Sequence, residues 1–254
     1  MAKKVLVLAT NYGAWAEELQ APWDALKQAG VDVTLATYLG KTPLPITISM
    51  DPEFIDGYQG YKVNPAEVVN RMKELLASGE LDHPIKIADA KMEDYDALVM
   101  TGGPGNPLDI CNNPKVHRLI LNAVKNDKMV GAVCYSVGAL AFTRDPDNNY
   151  KSVIYGKTVT AHPRVWDFVD FDLTYPLYGK TDDNAGTDLM TPGFGIPLQD
   201  IVEDAVGPQG KCIAEDKATR DKPCVAYDWP FVTGLSVESS IAYGQKLVEV
   251  LSGR

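Results

Sequence analysis

A short apolar run, Met129-Val130-Gly131-Ala132-Val133, stops at Cys134 and gives way at once to Tyr135-Ser136-Val137-Gly138-Ala139-Leu140, small and apolar residues of helical character. A strand that turns sharply into a helix at a nucleophilic residue is the layout of a nucleophile elbow, whose tight turn lifts one side chain clear of the sheet. A sulfur at a helix N-terminus also meets unpaired backbone N–H groups and the helix dipole, both of which favour the thiolate. The chemistry this allows is nucleophilic addition or thiol oxidation. A free cysteine without such a setting is ordinarily a small packing residue, and Cys111, Cys212 and Cys224 are read that way. There is no CxxC pair and no zinc spacing, and His83, His117 and His162 are too dispersed to suggest a metal cage. No metal and no cofactor are expected.

The other reactive groups are less distinct. Thr101-Gly102-Gly103-Pro104-Gly105 follows a strand. It is either a plain turn or a place where backbone N–H groups come close to a substrate oxygen as an oxyanion hole. Glu17 and Glu18 stand near the start of a helix, where acidic residues are common because of the dipole. Spacing alone does not choose between them. His83 and His117 are read as surface residues.

Positioning these groups requires a sheet. Strand-like runs alternate with helical ones, the signature of βαβ units and a parallel sheet. Strands are predicted at Lys4–Ala9, Val31–Thr37, Ala97–Met100, Met129–Val133 and Lys157–Ala161, and near Val225–Tyr227 and Phe231–Thr233. Helices are predicted at Leu19–Ala29, Pro65–Leu76, Pro114–Lys125, Pro197–Val206 and about Val237–Leu251. Pro22 is compatible only with a first helical turn, which puts Glu18 at the loop-to-helix junction. Open α/β sheets bind ligands at the C-terminal ends of their strands. Thr10–Glu18, Thr101–Gly105, Cys134–Ser136 and Ala161–Arg164 arrive there together. The expected fold is a flavodoxin-like, doubly wound, mostly parallel sheet with helices on both faces. It forms one domain over 1–254 with loop insertions near 39–90 and 163–195.

The net charge of -10 argues against nucleic acid, whose phosphates need a basic surface. The apolar run Val5–Ala9 is too short for a signal peptide, and no stretch has transmembrane length. A cytoplasmic protein with a small-molecule substrate is expected, with no membrane partner.

The chain resembles the ThiJ/PfpI superfamily, related to class I glutamine amidotransferases. The resemblance rests on Val5–Ala9, Glu18-Leu19-Gln20-Ala21-Pro22, Leu26 to Val33, Tyr95 to Gly103, the cysteine elbow, Gly156-Lys157-Thr158-Val159-Thr160, Val232-Thr233-Gly234 and Ser239-Ser240. In that family a glutamate four residues before the proline hydrogen-bonds the elbow sulfur, which implies Glu18 rather than Glu17. The resemblance also implies that Gly102 and Gly103, with Tyr135 after the cysteine, supply the oxyanion donors. The segment before Asp96 and Met190-Thr191-Pro192-Gly193-Phe194-Gly195 resemble the chaperone/glyoxalase III branch.

One departure stands out: that branch places a histidine directly after the cysteine, and here the residue is Tyr135. It is either a substrate-facing phenol or a packed aromatic. Val159-Thr160-Ala161-His162-Pro163 resembles the segment that carries a histidine beside the cysteine in the human parkinsonism-associated member. His162 is therefore a candidate base, or else a strand-end histidine bonded to a carbonyl.

By resemblance, Cys134, Glu18 and His162 would carry a cofactor-independent, glyoxalase III-like conversion of α-oxoaldehydes to hydroxy acids, in a homodimer. Isocyanide hydration or amide hydrolysis occurs in sister branches, but the isocyanide hydratases carry Asp and Thr where Glu18 and Tyr135 stand. A non-enzymatic member would be a chaperone, or a redox sensor whose Cys134 sulfinate is held by protonated Glu18. The pocket walls are expected from Tyr12–Trp15, Asn106–Ile110, Tyr135 and the 163–195 insertion.

Overall fold

A computed structural model of the chain describes residues 2–167 and 193–253. Its elements are, in order, β1 (Lys4–Ala9), α1 (Ala16–Gln28), β2 (Asp32–Thr37), α2 (Ala66–Ser78), β3 (Ile85–Lys86), β4 (Ala97–Met100), α3 (Asn106–Asp109) and α4 (Pro114–Lys125). They continue with β5 (Met129–Val133), α5 (Val137–Phe142), β6 (Arg144–Asp145), β7 (Lys151–Ser152), β8 (Thr158–Thr160), α6 (Arg164–Asp167), α7 (Leu198–Val206), β9 (Lys211–Ile213), β10 (Val225–Asp228), β11 (Phe231–Gly234) and α8 (Ser240–Ser252).

Seven strands form the central sheet in the order β10-β11-β5-β4-β1-β2-β3. All neighbours are parallel except β10, which returns antiparallel on β11. This is the expected doubly wound, flavodoxin-like arrangement. The chain leaves β1 towards β2 and β3, then crosses back to β4 and β5. The crevice between β1 and β4 is thus the switch point at which such sheets bind ligands.

Alternation along the strands builds two cores. Leu6, Leu8, Leu98, Met100, Val130 and Ala132 face α4, α5 and α7. Val5, Val7, Val99, Met129 and Val133 face α1, α2 and α8. A period of two with both faces apolar is what a sheet covered on both sides requires.

Local signals account for several boundaries. Asn113 caps α4 by accepting the Lys115 N–H at 2.9 Å, and Pro114 takes the first helical position. Gly79, left-handed at φ +77°, ends α2.

One expectation needs correction, and one strand sits apart from the main sheet. Helix α1 starts a turn earlier than predicted, so Glu18 lies inside its first turn and Pro22 in its interior. The proline ring withholds the N–H that would have reached the Glu18 carbonyl. The helix tolerates this because α8 packs tightly against it: a Cβ on Gly244 would lie 3.1 Å from the Ala21 carbonyl oxygen and 3.2 Å from Pro22 Cα. The strand predicted at Lys157–Ala161 is β8, but it pairs with β9 in a separate two-stranded sheet. Side chains tie it to the main sheet: Asp228 Oδ2 accepts the Thr158 N–H at 2.8 Å, and Thr233 Oγ1 accepts the Thr160 N–H at 2.9 Å.

The 39–90 stretch contains α2 and β3 as well as 3-10 turns at Thr47–Met50 and Ile87–Asp89. Residues 168–192 of the second predicted insertion, including Met190, Thr191 and Pro192, lie outside the described residues. Among the described residues no helix is long and apolar enough to cross a membrane.

Candidate active site

Strand β5 delivers Cys134 into a 3-10 turn, Cys134–Ser136, that runs into α5. Cys134 has φ +56°, a left-handed backbone that costs a residue with a Cβ about 1–2 kcal/mol. Ser136 holds the turn closed. Its buried Oγ accepts the Val133 N–H at 2.9 Å and lies 2.8 Å from the Val133 carbonyl oxygen. This is the strained strand-to-helix turn of a nucleophile elbow.

The Gly-Gly turn after β4 packs against the elbow. A Cβ on Gly102 would lie 2.2 Å from Glu18 Oε2 and 2.9 Å from Cys134 Cβ, so only glycine fits. Gly103, at φ +128°, has the Gly13 carbonyl oxygen 2.5 Å from where its Cβ would be. Asn106 Nδ2 fixes this turn by donating to the carbonyls of Thr101 (3.2 Å) and Gly103 (2.9 Å). The backbone N–H groups of Gly103 and Tyr135 both point at the Cys134 sulfur.

Glu18 is fully buried, and its carboxyl lies against the Cys134 thiol and interacts with it. Ser236 lies 3.5 Å from Glu18 Oε1 and 3.9 Å from Cys134 Sγ through its hydroxyl. Glu18 Oε2 is buried with no hydrogen-bond partner among the described residues. Burial raises the Glu18 pKa from 4.5 to about 8, against the opposing pull of the bond to Cys134 and the charge of His162. Glu17 points elsewhere, paired with Arg220 through Nη1 at 2.6 Å and a second, shorter contact from Nη2. Arg220 Nη2 also donates to the Val63 carbonyl at 2.6 Å.

The expectation that the helix N-terminus depresses the Cys134 pKa is reversed. Burial, then the charge of Glu18, push the thiol well above its ordinary range, and the N–H groups of Tyr135 and Gly103 only partly offset them. The thiol and carboxyl titrate as a pair: both hold their protons below about pH 8, and above it they share one negative charge.

His162 lies in the same cavity as Cys134 and Glu18. No hydrogen bond joins it to the sulfur among the described residues. Its Nδ1 sits 2.6 Å from Asp167 Oδ1. Burial opposes its charge, but Asp167, reinforced by Glu18 and Glu238, outweighs burial and raises its pKa. Asp167 also accepts the Tyr135 hydroxyl at Oδ1 (2.5 Å) and the Leu198 N–H at Oδ2 (2.9 Å). The Tyr135 ring lies 5.1 Å from that of His162 and 5.8 Å from that of Phe194. Tyr135 is therefore a packed aromatic whose hydroxyl braces the His162–Asp167 pair. Cys111, fully buried, donates its S–H to the Tyr135 carbonyl at 3.2 Å, and His117 Nε2 lies 2.7 Å from the Cys111 carbonyl oxygen.

The cavity above Cys134 encloses about 570 Å³. Trp15, Tyr135 and, from the 163–195 segment, Trp166 and Asp167 line it as expected, but Tyr12–Ala14 and Asn106–Ile110 do not. A large part of the wall comes instead from residues 46–63, including Ile46, Ile48, Phe54 and Tyr58. Sequence reasoning missed that wall, Ser236 and the pairing of Asp167 with His162. The first had a signal, because a Pro/Gly/aromatic loop too long for a simple connection is often a binding loop. Ser236 follows β11 by two residues, at the same end of the sheet as Cys134. Among the described residues no group of three or more His, Cys, Asp or Glu side chains is arranged to hold a metal ion.

Residues 3–172 match the DJ-1/PfpI family. A curated Bos taurus protein, glutamine amidotransferase-like class 1 domain-containing protein 1, is 26% identical over 172 residues, covering 67% of this chain and 66% of that protein. The chain thus spans just under two thirds of that relative's length. The solved structure of the 24 kDa Rapid Encystment Protein of Francisella tularensis superposes with a TM-score of 0.73 at 19% identity, covering 98% of this chain and 99% of that one. Glyoxalase III from Candida albicans superposes at 0.70, also with 19% identity, covering 97% and 96%. At such identities the structures establish the fold alone. The family match covers well over half of the chain and takes in the elbow, the Gly-Gly turn and Glu18: the chain belongs to the DJ-1/PfpI family.

Proposed function

We propose that the protein is a cysteine-dependent enzyme acting on a small reactive carbonyl, as a glyoxalase III-like converter of α-oxoaldehydes to 2-hydroxy acids. The observation that carries this reading is the Cys134–Glu18 pair beneath the cavity, with the N–H groups of Gly103 and Tyr135 converging on the sulfur. A thiol kept protonated needs a base at the moment of attack, and Glu18, with a pKa of about 8, supplies it from the minor fraction ionised near neutral pH.

In this mechanism the Cys134 sulfur adds to the aldehyde carbon and its proton passes to Glu18. The carbonyl electron pair moves to oxygen, which is held by the two N–H groups and takes up a proton, giving a hemithioacetal. The proton on that carbon is removed and the neighbouring carbon is protonated; the hemithioacetal hydroxyl gives up its proton and becomes the carbonyl of a thioester, while the neighbouring carbonyl oxygen takes up a proton and becomes the hydroxyl of the 2-hydroxy acid. Water then releases the acid and restores the thiol. The net reaction adds one water, oxidising one carbon while reducing its neighbour, so no external oxidant is required. Glu18 carries the thiol proton. His162, held at Nδ1 by Asp167, is the second acid–base group.

Turnover of glyoxals, isocyanides and amides by wild type and Cys134→Ser tests the reading. Glyoxal turnover should be lost in Cys134→Ser; full activity there refutes the mechanism. With glyoxals, kcat/KM should rise about tenfold per pH unit below 8 and level off above it, because the base is the ionised carboxyl. A redox-sensing role gains some support from a Glu18 that is protonated at neutral pH and able to donate to a sulfinate. The buried, protonated thiol weighs against it, since the thiolate is the oxidisable form. Intact mass after mild peroxide separates the two: two added oxygens on Cys134, with no carbonyl turned over, would favour the sensor.

A further inference from the structure

The walls of the cavity go further than its reactive floor. On one side Trp15, which follows β1, meets Phe54 edge-on with ring centroids 6.4 Å apart. Ile46, Ile48 and Tyr58 extend that side, and Trp166, against the His162 ring at 5.5 Å, stands in the same lining. A volume of about 570 Å³ lies in the range that holds drug-sized ligands, far beyond the needs of a three-carbon oxoaldehyde.

Charge narrows the choice. The titratable groups lining the cavity among the described residues are Glu18, Asp56, Tyr58, Cys134, Tyr135, His162 and Asp167, and no Lys or Arg is among them. The histidine is already paired with Asp167. Among the described residues a carboxylate or phosphate on the substrate would find no Lys or Arg and only a histidine already held by Asp167, so burying its charge there is unfavourable. Aromatic rings, by contrast, find offset and edge-on partners there.

Resting on the reading of Cys134 as the nucleophile of a glyoxalase-like enzyme, we infer that the substrate is an α-oxoaldehyde carrying an uncharged aromatic substituent. The ring lies between Trp15 and the 46–63 segment, and the aldehyde reaches down to Cys134.

The test compares kcat/KM for phenylglyoxal, methylglyoxal and 4-carboxyphenylglyoxal in wild type, Phe54→Ala and Phe54→Leu. Phenylglyoxal should exceed methylglyoxal by about tenfold or more, the scale of apolar-pocket discrimination, and 4-carboxyphenylglyoxal should fall below a tenth of phenylglyoxal. The phenylglyoxal-to-methylglyoxal ratio should drop in Phe54→Ala. It should also drop in Phe54→Leu, which keeps an apolar side chain on the loop and so guards against misfolding. A wild-type ratio near or below one, or a ratio unmoved by both variants, overturns the inference. Binding of acetophenone and acetone to Cys134→Ser, followed by ligand-detected NMR, separates the two layers. If no glyoxal is turned over, the proposed reaction fails. Acetophenone binding that Phe54→Ala weakens would still support the aromatic site, and absence of acetophenone binding would overturn it.

Discussion

Replacing Glu18 by glutamine should stabilise the protein while abolishing its chemistry, and the size of the gain follows from where the carboxyl sits. Glu18 is 1% exposed, and its pKa rises from 4.5 to about 8, chiefly through burial. In the unfolded chain the group ionises near 4.5; in the folded protein it resists until about 8. A pKa raised by folding contributes full stability below the unfolded value and loses it as pH climbs towards the folded one. At about 1.4 kcal/mol per pH unit, the loss is under about 1 kcal/mol at pH 5, about 3 at pH 7 and about 4 at pH 8.

The amide is nearly isosteric with the protonated acid and carries no titrating charge. Glu18→Gln should therefore melt close to wild type at pH 5, and progressively above it as pH rises. At about 2–4 °C per kcal/mol for a chain of this size, the gap should widen by about 10 °C between pH 5 and pH 8. Thermal melts followed by circular dichroism at three pH values read this directly. Turnover in the same variant should fall by about 10²–10⁴ through loss of the proton acceptor. A melting gap that stays flat or narrows with rising pH would refute the reasoning, since the carboxyl would then ionise freely in the folded protein.

Gly102→Ala should destabilise the fold by about 1–3 kcal/mol in urea titrations, because its Cβ would collide with Glu18 and Cys134, and it should lower kcat as well. Arg220→Ala leaves Glu17 buried without its partner and should cost about 3–5 kcal/mol by the same measurement; adding Glu17→Gln should recover much of that loss. Asp167→Asn should lower the His162 titration midpoint seen by NMR, because the charge that raises it is gone, and should reduce kcat about 10- to 100-fold with KM little moved. An unchanged midpoint would show that Asp167 does not set the state of His162.

Strands β1, β4 and β5 and helix α4 were legible to the residue, because each pairs a clean apolar pattern with an unambiguous stop. The start of α1 was not, since Pro22 signals a helix N-terminus locally and only the packing of α8 overrides it. The two-residue β3 is too short for any periodic signal, and β8 reads as a core strand although its N–H groups go partly to side chains. Cys134, Glu18, Gly102 and Gly103 carried local or family marks. Ser236 carried none, and Asp167 only its place in the 163–195 segment: they reach the site through strand order and through a helix outside the main sheet. Charge balance around Cys134 was also beyond the sequence, because the dipole argument counts the N–H groups but not the buried carboxyl facing them.

The site has two owners. Cys134, Glu18, Gly103 and Ser236 ride on the ends of the central strands and the first turn of α1, where any shift would propagate through the sheet. The facing wall hangs from a few anchors: Ile46 N–H to the Ala14 carbonyl at 2.9 Å, Asn64 Nδ2 to the carbonyls of Ile48 (2.7 Å) and Asp51 (2.9 Å), and Arg220 to Val63. With those anchors kept, together with buried Ser49, which accepts the Ala16 N–H at 3.1 Å, and Met50, which packs into the core, the other residues of 47–62 are free to drift in sequence at little cost to folding. Segment exchange between homologues at that loop is therefore a route to changing what the protein accepts while leaving what it does intact.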